Sequence, residues 1–169
     1  MEKLLKKIIG TQFEDVISIG FNDEENGIIQ YVIDMHKVYL DFENIRLSFE
    51  CINNYSKLLI KGEGEIQFDY TIDEDMKYGF SKLHNVIFSQ GEAVDVFLEK
   101  IYLYNVKKSF TEYIVCDAIK ILLSTGQILF FDPSYYFGIN IGDEKIEKIW
   151  KQQNKRYTCI EIGETEKII

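Results

Sequence analysis

The chain has 169 residues, of which 46% are hydrophobic and 28% are charged, and its net charge is -9. This composition predicts a single folded domain over residues 1–169 and excludes a disordered or low-complexity chain. The negative charge argues against nucleic acid as a partner, because phosphate binding needs a basic surface. No run of about 18 apolar residues occurs, so we expect neither a membrane-spanning helix nor a membrane partner.

The amino-terminal residues and the cysteines bear on the cellular compartment. Residues 1–10 lack the apolar core that a signal peptide needs. Cys51, Cys116 and Cys159 are widely spaced and match neither a disulfide framework nor a zinc motif. We therefore expect a cytoplasmic protein with reduced thiols. The excess of lysine over arginine, with abundant Ile, Asn and Tyr, favours a bacterial gene.

The periodicity of the apolar residues predicts a short helix followed by many strands. Leucine and isoleucine recur at helical spacing over 2–9. Alternating apolar residues then indicate strands, and a glycine turn at 62–64 favours a hairpin between 58–61 and 65–70. The other predicted strands cover 16–21, 28–34, 37–42, 45–52, 86–89, 101–105, 113–117, 119–123, 128–131, 136–141 and 156–162.

A second helix is predicted over 143–153, before the last strand. Asp143 is a suitable N-cap, because its carboxylate can accept hydrogen bonds from the free amides of the first turn. Glu147 and Lys151 are expected to form an ion pair on the exposed side of this helix. The helix residues expected to face the core are Ile146, Ile149 and Trp150. The corresponding residues of the last strand are Thr158, Ile160 and Ile162.

These elements predict an α+β fold that is mainly antiparallel, with about ten strands in curled sheets or half-barrels. A shift of 83 residues aligns 16–49 with 99–132 and gives six identities. The match favours two related β units, which would cover 11–83 and 94–169. Its excess over chance is modest, so duplication and an alternating pattern common to two β meanders both stay open.

The sequence offers no residues at the spacing that catalysis or metal binding needs. The histidines, His36 and His84, are 48 positions apart, and His36 is expected at a surface turn. No G-x-S-x-G elbow, phosphate loop or EF-hand loop occurs. We therefore predict no catalytic residue, no metal and no cofactor, and we expect that the protein is not an enzyme. A catalytic pair among the 28 acids stays open, since nothing selects one pair.

The acidic residues are concentrated in the first half of the chain. Residues 11–76 contain 15 Asp and Glu against four Lys and Arg. A surface of one sign attracts a partner of the opposite sign and raises its association rate. Exposed aromatic rings after Pro133 are expected to act as anchors. The candidate partner-binding residues are Asp23, Glu24, Glu25, Glu63, Glu65, Asp73, Glu74, Asp75, Tyr135 and Tyr136.

A small, acidic, β-rich bacterial protein without catalytic motifs resembles immunity proteins in its general profile. We hypothesise a non-enzymatic protein-binding module that occludes a basic protein, such as a toxin. One alternative is a small-molecule-binding protein or enzyme with a pocket between the two β units, lined by Tyr135, Tyr136 and His84. The other is an assembly subunit of a phage or secretion system, whose sheet edges pair between copies. The oligomeric state stays open.

Overall fold

The computed structural model describes residues 1–88 and 95–163, which contain three helices and twelve strands. The helices are α1 (Glu2–Ile8), α2 (His84–Ile87) and α3 (Glu144–Gln153). The strands are β1 (Phe13–Glu25), β2 (Ile28–Phe42), β3 (Ile45–Ile52), β4 (Lys57–Glu63), β5 (Lys77–Lys82), β6 (Leu98–Tyr104), β7 (Lys108–Ser109), β8 (Tyr113–Cys116), β9 (Ala118–Leu123), β10 (Ile128–Tyr135), β11 (Gly138–Gly142) and β12 (Cys159–Gly163). None of the described helices is long and apolar enough to cross a membrane.

The strands form one curled mixed sheet that consists of two antiparallel halves. The first half has the order β5-β1-β2-β3-β4-β8-β7, and the second has the order β12-β6-β9-β10-β11. The halves meet where Gly138 of β11 pairs in parallel with Met35 of β2. The prediction of an α+β, mainly antiparallel fold is confirmed in this outline, with twelve described strands where about ten were expected.

One hydrophobic core includes side chains from both halves of the sheet. Phe49 of β3 and Phe131 of β10 pack edge to face, with ring centroids 5.0 Å apart. Helix α1 confirms the first predicted helix and adds Leu5 and Ile8, which are fully buried. Complete burial of one such side chain contributes about 1.5–3 kcal/mol to folding. Side-chain packing therefore holds the two halves together.

The hairpin predicted after β4 is wrong, because both edges of β4 are already paired. β3 lies on one side of β4 and β8 on the other, so the following chain has no free edge to return to. Instead, the amide of Gln67 donates to Tyr39 Oη over 2.8 Å, and the Tyr39 hydroxyl donates to the Gln67 carbonyl over 3.0 Å. This segment packs on Ile17 and Ile19 of β1 through Ile66, Phe68 and Tyr70.

Helix α3 begins as predicted, but its buried face differs from the prediction. The Asp143 carboxylate accepts hydrogen bonds from amides of the first turn, which confirms the N-cap. Glu147 and Trp150 are buried, whereas Ile149 is exposed. The helix is therefore oriented so that Glu147 faces the sheet, where it meets the hydroxyl of Tyr104.

Two strand predictions near the ends of the described ranges also need correction. The expected strand over 86–89 is replaced by α2, which ends at Ile87, and residue 89 lies outside the described residues. The strand predicted over 156–162 begins only at Cys159, so Thr158 precedes β12 and is exposed. Ile160 is exposed as well, and Ile162 is the buried member of the predicted inward set. β12 lies at the edge of the sheet beside β6, so its outer part has little to pack against.

The strand register repeats in part between the two halves. Ile17 of β1 pairs with Tyr39 of β2, and Lys100 of β6 pairs with Leu122 of β9, which is the same pair shifted by 83 residues. The repeat is incomplete, because the loops after β2 and β9 differ in length and because β8 pairs with β4 of the first half. Duplication stays a prediction.

Candidate functional site

The outer ends of β1 and β2 form a hairpin that extends away from the core. These strands have 13 and 15 residues. Near their inner ends Val38 and Leu40 are completely buried, but at the outer end Ile28 and Ile29 are 71% and 68% exposed. We call residues 21–33 the outer hairpin. The exposure of Ile28 and Ile29 shows that strand pairing, and not core packing, maintains the shape of its end.

A tight turn at Asn26 and Gly27 sets the hydrogen-bond pattern of the outer hairpin. Both residues have positive φ, 55° and 79°, as a two-residue type I′ turn requires. Glu25 and Ile28 flank the turn and pair with each other. In such a hairpin this first pair is hydrogen-bonded, and the pairs alternate from there. The residues of β2 whose backbone groups point away from β1 are therefore Ile29, Tyr31 and Ile33.

The edge of β2 opposite β1 is open along the outer hairpin. β3 pairs with β2 from Lys37 to Phe42, and β11 meets it at Met35. No described strand other than β1 pairs with residues 28–34. We call residues 28–34 the open edge. Its exposed β-branched side chains are Ile28, Ile29, Val32 and Ile33.

Strand β5 lies on the other side of β1 and pairs with it from Ile17 to Asn22, so the base of the outer hairpin belongs to a three-stranded ribbon. Its aromatic side chains, Tyr78 and Phe80, are exposed. Phe68 lies against Tyr78 with ring centroids 4.7 Å apart, and Tyr70 lies against Phe21 at 6.4 Å. The segment before β5 therefore supports one face of the ribbon and leaves the open edge uncovered.

The structure brings six of the predicted acidic residues to one end of the ribbon. Three of them lead into the Asn26 turn, and three lie in the turn before β5. Because Lys77, the first residue of β5, pairs with Asn22 of β1, both groups lie at the same end. No salt bridge within the described ranges neutralises them. This acidic tip consists of Asp23, Glu24, Glu25, Asp73, Glu74 and Asp75.

The other two predicted acids, Glu63 and Glu65, lie in and after β4. Glu63 accepts a hydrogen bond from Ser48 Oγ over 2.9 Å, and its carboxylate lies 3.5 Å from Lys37 Nζ. Burial lowers the pKa of Lys37, but its hydrogen bond to Asp69, its interaction with Tyr39 and the Glu63 charge together outweigh this effect, so the pKa is raised. Glu63 therefore serves an internal ion pair, whereas Glu65 is exposed in the bend that follows.

The turn between β10 and β11 carries three exposed aromatic rings. Tyr135, Tyr136 and Phe137 are 50%, 80% and 67% exposed. The next residue, Gly138, pairs with Met35 of β2, so this aromatic turn adjoins the inner end of the open edge. The acidic tip, the open edge and the aromatic turn thus follow one another along β2, and we call this set the binding strip.

An apolar groove of about 610 Å³ lies at the junction of the two sheet halves. Of the three residues predicted to line a pocket between the β units, Tyr135 borders this groove, whereas Tyr136 and His84 do not. The His84 ring instead packs on Phe88, with centroids 4.6 Å apart. Other lining residues are Met35, Phe137, Ile139, Ile141 and Ile146.

His36 lies within β2, and the prediction of a surface turn is wrong. Successive residues of β1 pair with Val38 and then Asp34, so residues 35–37 form a bulge. His36 Nδ1 lies 2.5 Å from Asp34 Oδ1, and His36 Nε2 lies 2.6 Å from Tyr55 Oη. This chain of side chains connects β2 to the turn between β3 and β4.

The three cysteines are free thiols. Burial raises the pKa of Cys51 to about 12, and it also raises the pKa of the fully buried Cys116. Burial raises the pKa of Cys159 as well, although Lys120 and Lys151 oppose it. Since the thiolate is the reactive form, a raised pKa lowers the reactivity of these thiols at neutral pH. Within residues 1–88 and 95–163, no three His, Cys, Asp or Glu side chains group as a metal site.

A buried ionic cluster beneath α3 was missed by the sequence reasoning. Glu147 is 3% exposed, and it accepts hydrogen bonds from Tyr104 Oη at 2.5 Å, Lys120 Nζ at 3.0 Å and Lys151 Nζ at 2.7 Å. Burial raises the pKa of Glu147, but these hydrogen bonds outweigh it and lower the pKa. The spacing of Glu147 and Lys151 indicates the pair, and only the fold shows that it is buried. The hydrogen bonds of this cluster hold α3 against the sheet.

Comparisons of the chain with protein-family models, with curated proteins and with solved structures found no match. The binding strip combines exposed apolar side chains, one sign of charge and an open strand edge. These three properties extend along a ribbon and do not converge on one point.

Proposed function

We propose that the protein is a non-enzymatic module that binds a basic protein through the binding strip. The observation that carries this proposal is the outer hairpin, which exposes apolar side chains on strands that continue into the core. Large exposed apolar patches with a polar rim mark interaction sites on soluble proteins. Ile28 and Ile29 contribute little to the fold, so a partner that covers them accounts for their presence.

The acidic tip makes the charge of this surface negative. Six carboxylates lie at one end of the ribbon, in a chain whose net charge is -9. A field of this kind accelerates the approach of a basic partner and disfavours an acidic one. At the other end of the strip, Tyr136 and Phe137 offer rings large enough to act as anchors.

The most specific form of the proposal is a bacterial immunity protein that occludes a basic toxin in the cytoplasm. Occlusion requires a complementary surface and no catalytic group. The acidic tip would cover cationic residues that such a toxin uses to hold an anionic substrate. The bacterial source and the cytoplasmic compartment belong to this proposal.

The test compares two charge-reversed variants with the wild-type protein. The tip variant carries Glu24→Lys, Glu74→Lys and Asp75→Lys. The matched control changes the net charge equally at exposed acids elsewhere and carries Glu43→Lys, Glu99→Lys and Glu112→Lys. Each tagged protein is used to capture partners from the native lysate at low and at moderate salt. The association rate with any retained protein is then measured.

The proposal predicts a basic protein that the wild type and the control retain and the tip variant loses. At low salt the association rate of the tip variant falls by about tenfold or more. The difference shrinks at moderate salt, because ions screen exposed charges. Equal retention of the same protein by the tip variant and the control would contradict the proposal.

The groove at the sheet junction supports a second candidate function, the binding of a small molecule. Its volume of about 610 Å³ lies within the range of known ligand pockets, and its lining is mostly apolar. A thermal-shift screen with metabolites tests this candidate. A true ligand raises the unfolding temperature of the wild type and of the exposed control Ile160→Lys, but not of Ile141→Lys, which places a charge in the groove.

A further inference from the structure

We infer that the partner is recognised by strand addition, in which an extended basic segment of the partner pairs with the open edge of β2. This inference rests on the proposed function and specifies how the binding strip is used. The open edge has a ladder with β1 on one side and, within the described residues, no ladder on the other. An added strand would complete the main-chain hydrogen bonds.

The backbone of the open edge is oriented for this pairing. The amide and carbonyl groups of Ile29, Tyr31 and Ile33 face away from β1, as the alternation from the type I′ turn requires. These groups recur at every second residue, which is the spacing that a partner strand presents. The open edge can therefore accept a complete ladder without a change in the hairpin.

The residues of the open edge lack the features that normally protect an exposed strand. Edge strands are usually short or carry lysine, proline or inward charges that prevent pairing with other chains. Residues 28–34 contain no lysine, arginine or proline, and Asp34 is their single charged residue. Four of the seven are isoleucine or valine. An edge of this composition promotes aggregation unless a partner covers it.

The two ends of the open edge predict how the partner strand is aligned. β2 begins at Ile28 beside the acidic tip and runs towards the aromatic turn. An antiparallel partner, which pairs more stably than a parallel one, would place its carboxyl end beside the tip. Its basic residues should lie at that end. Apolar residues at alternate positions would contact Ile29 and Ile33.

The charges favour a basic partner strand over a second copy of this chain. Two copies would each bring a net charge of -9, and the open edge offers no cation to place beside Asp34 or the acidic tip. Like charges at this proximity oppose association. A segment with lysine or arginine at one end can pair with the open edge and place its positive charges beside the acidic tip.

The experiment uses a synthetic peptide as a probe. It has about eight residues, alternates valine with threonine and ends in two lysines at its carboxyl end. Ile29→Pro and Ile33→Pro remove an outward amide that the hairpin does not use, which an edge strand tolerates. Ile29→Ala and Ile33→Ala are the matched controls, because they shorten the side chain and keep the amide. Affinity is measured by fluorescence anisotropy.

The inference predicts that each proline variant binds the peptide about tenfold more weakly, whereas each alanine variant loses less than about threefold. A second readout uses wild-type protein and needs no variant. By amide exchange, Ile29, Tyr31 and Ile33 should exchange fast in the free protein and slowly with the peptide bound. Slow exchange of the Leu40 amide in the proline variants shows that they are folded.

Three results would overturn the inference. The first is an equal loss of peptide affinity in the proline and the alanine variants. The second is amide exchange of the three outward amides that the bound peptide does not slow. The third is exchange of these amides that slows as the protein concentration rises, without peptide. The last result would identify a second copy as the occupant. If any of them occurs while the tip variant still loses its basic partner, the proposed function stands. If the proline effect appears but Glu24→Lys, Glu74→Lys and Asp75→Lys change nothing, strand addition stands and the charge part of the proposed function fails.

Discussion

The two ends of the β1–β2 hairpin place similar residues in opposite environments. At the inner end Val38 and Leu40 are completely buried, and at the outer end Ile28 and Ile29 are mostly exposed. The difference lies in the neighbours, because β3 and the core cover the inner end, whereas the outer end extends beyond β5, whose pairing with β1 stops at Asn22. Apolar residues thus form a core where layers of the fold meet and lie exposed to solvent where they do not.

Charged residues show the same contrast between the two ends. Near the inner end, Lys37 is buried and is neutralised by Asp69 at 2.8 Å and Glu63 at 3.5 Å. The carboxylates of the acidic tip have no such partner among the described residues. A buried charge must be paired to be tolerated, whereas an exposed one is free to act on another molecule.

The largest expected effect tests the contrast in burial. Leu40→Ala should lower the free energy of unfolding by about 2–5 kcal/mol, because it leaves a cavity in the core. Ile29→Ala should change it by no more than about 0.5 kcal/mol, since the side chain is already in solvent. Urea unfolding of both variants measures the difference. A comparable loss in Ile29→Ala would show that the outer hairpin is covered in solution.

The next effect concerns the point where the hairpin leaves the core. A Cβ atom at Gly20 would lie 2.1 Å from the carbonyl oxygen of Val32, so the strands approach too closely there for any side chain. Gly20→Ala should cost roughly 1–3 kcal/mol. It should speed amide exchange in the outer hairpin and leave Leu40 protected. Gly64→Ala, whose Cβ would meet nothing within 4 Å, is the control and should be neutral or slightly stabilising. An unchanged exchange pattern in Gly20→Ala would mean that β1 and β2 leave room for a side chain at Gly20.

Local signals in the sequence predicted much of the secondary structure. The alternation of apolar residues identified β3, the middle of β1 and both parts of β2, which was predicted as two strands, 28–34 and 37–42. Asp143 marked the start of α3. These features depend on neighbours in the chain. The same alternation runs through both ends of β2. It therefore could not show that Ile29 is exposed and Leu40 buried, since this depends on which strands lie alongside.

The missed features depend on contacts between distant parts of the chain. Glu147 is buried because Tyr104 and Lys120, on β6 and β9, meet it beneath α3. The acidic tip forms because Lys77 pairs with Asn22 across 55 positions of sequence. The charge count over the first half indicated an acidic surface, but strand pairing decided which acids lie together.

A smaller effect on stability is expected from the buried carboxylate of Glu147, compared with an exposed carboxylate. Burial raises the pKa of Glu147, but Lys151, Tyr104 and Lys120 lower it below its ordinary value of 4.5. Its charged form therefore stabilises the folded protein above the unfolded pKa, and this contribution is lost as the pH falls through the lower, folded pKa. Glu147→Gln should cost about 1–2 kcal/mol at neutral pH and lose less than the wild type on acidification. Unfolding curves between neutral pH and about pH 3 measure this, with Glu24→Gln as the control. If the free energy of unfolding of Glu147→Gln and of the wild type falls equally with pH, the charged form of Glu147 does not stabilise the folded protein.

The smallest effect is expected at the acidic tip itself. Glu24 is exposed beside Asp23 and Glu25, and no salt bridge to a described residue holds it. Glu24→Lys should therefore raise the free energy of unfolding by less than about 0.5 kcal/mol, because it relieves repulsion between like charges. The gain should shrink above about 0.1 M salt, where screening acts within about 10 Å. Thermal unfolding at two salt concentrations measures it, and Glu43→Lys is the matched control away from the tip. A loss of stability in Glu24→Lys would show that this carboxylate already has a partner within the fold, and it would then be unavailable to a basic protein.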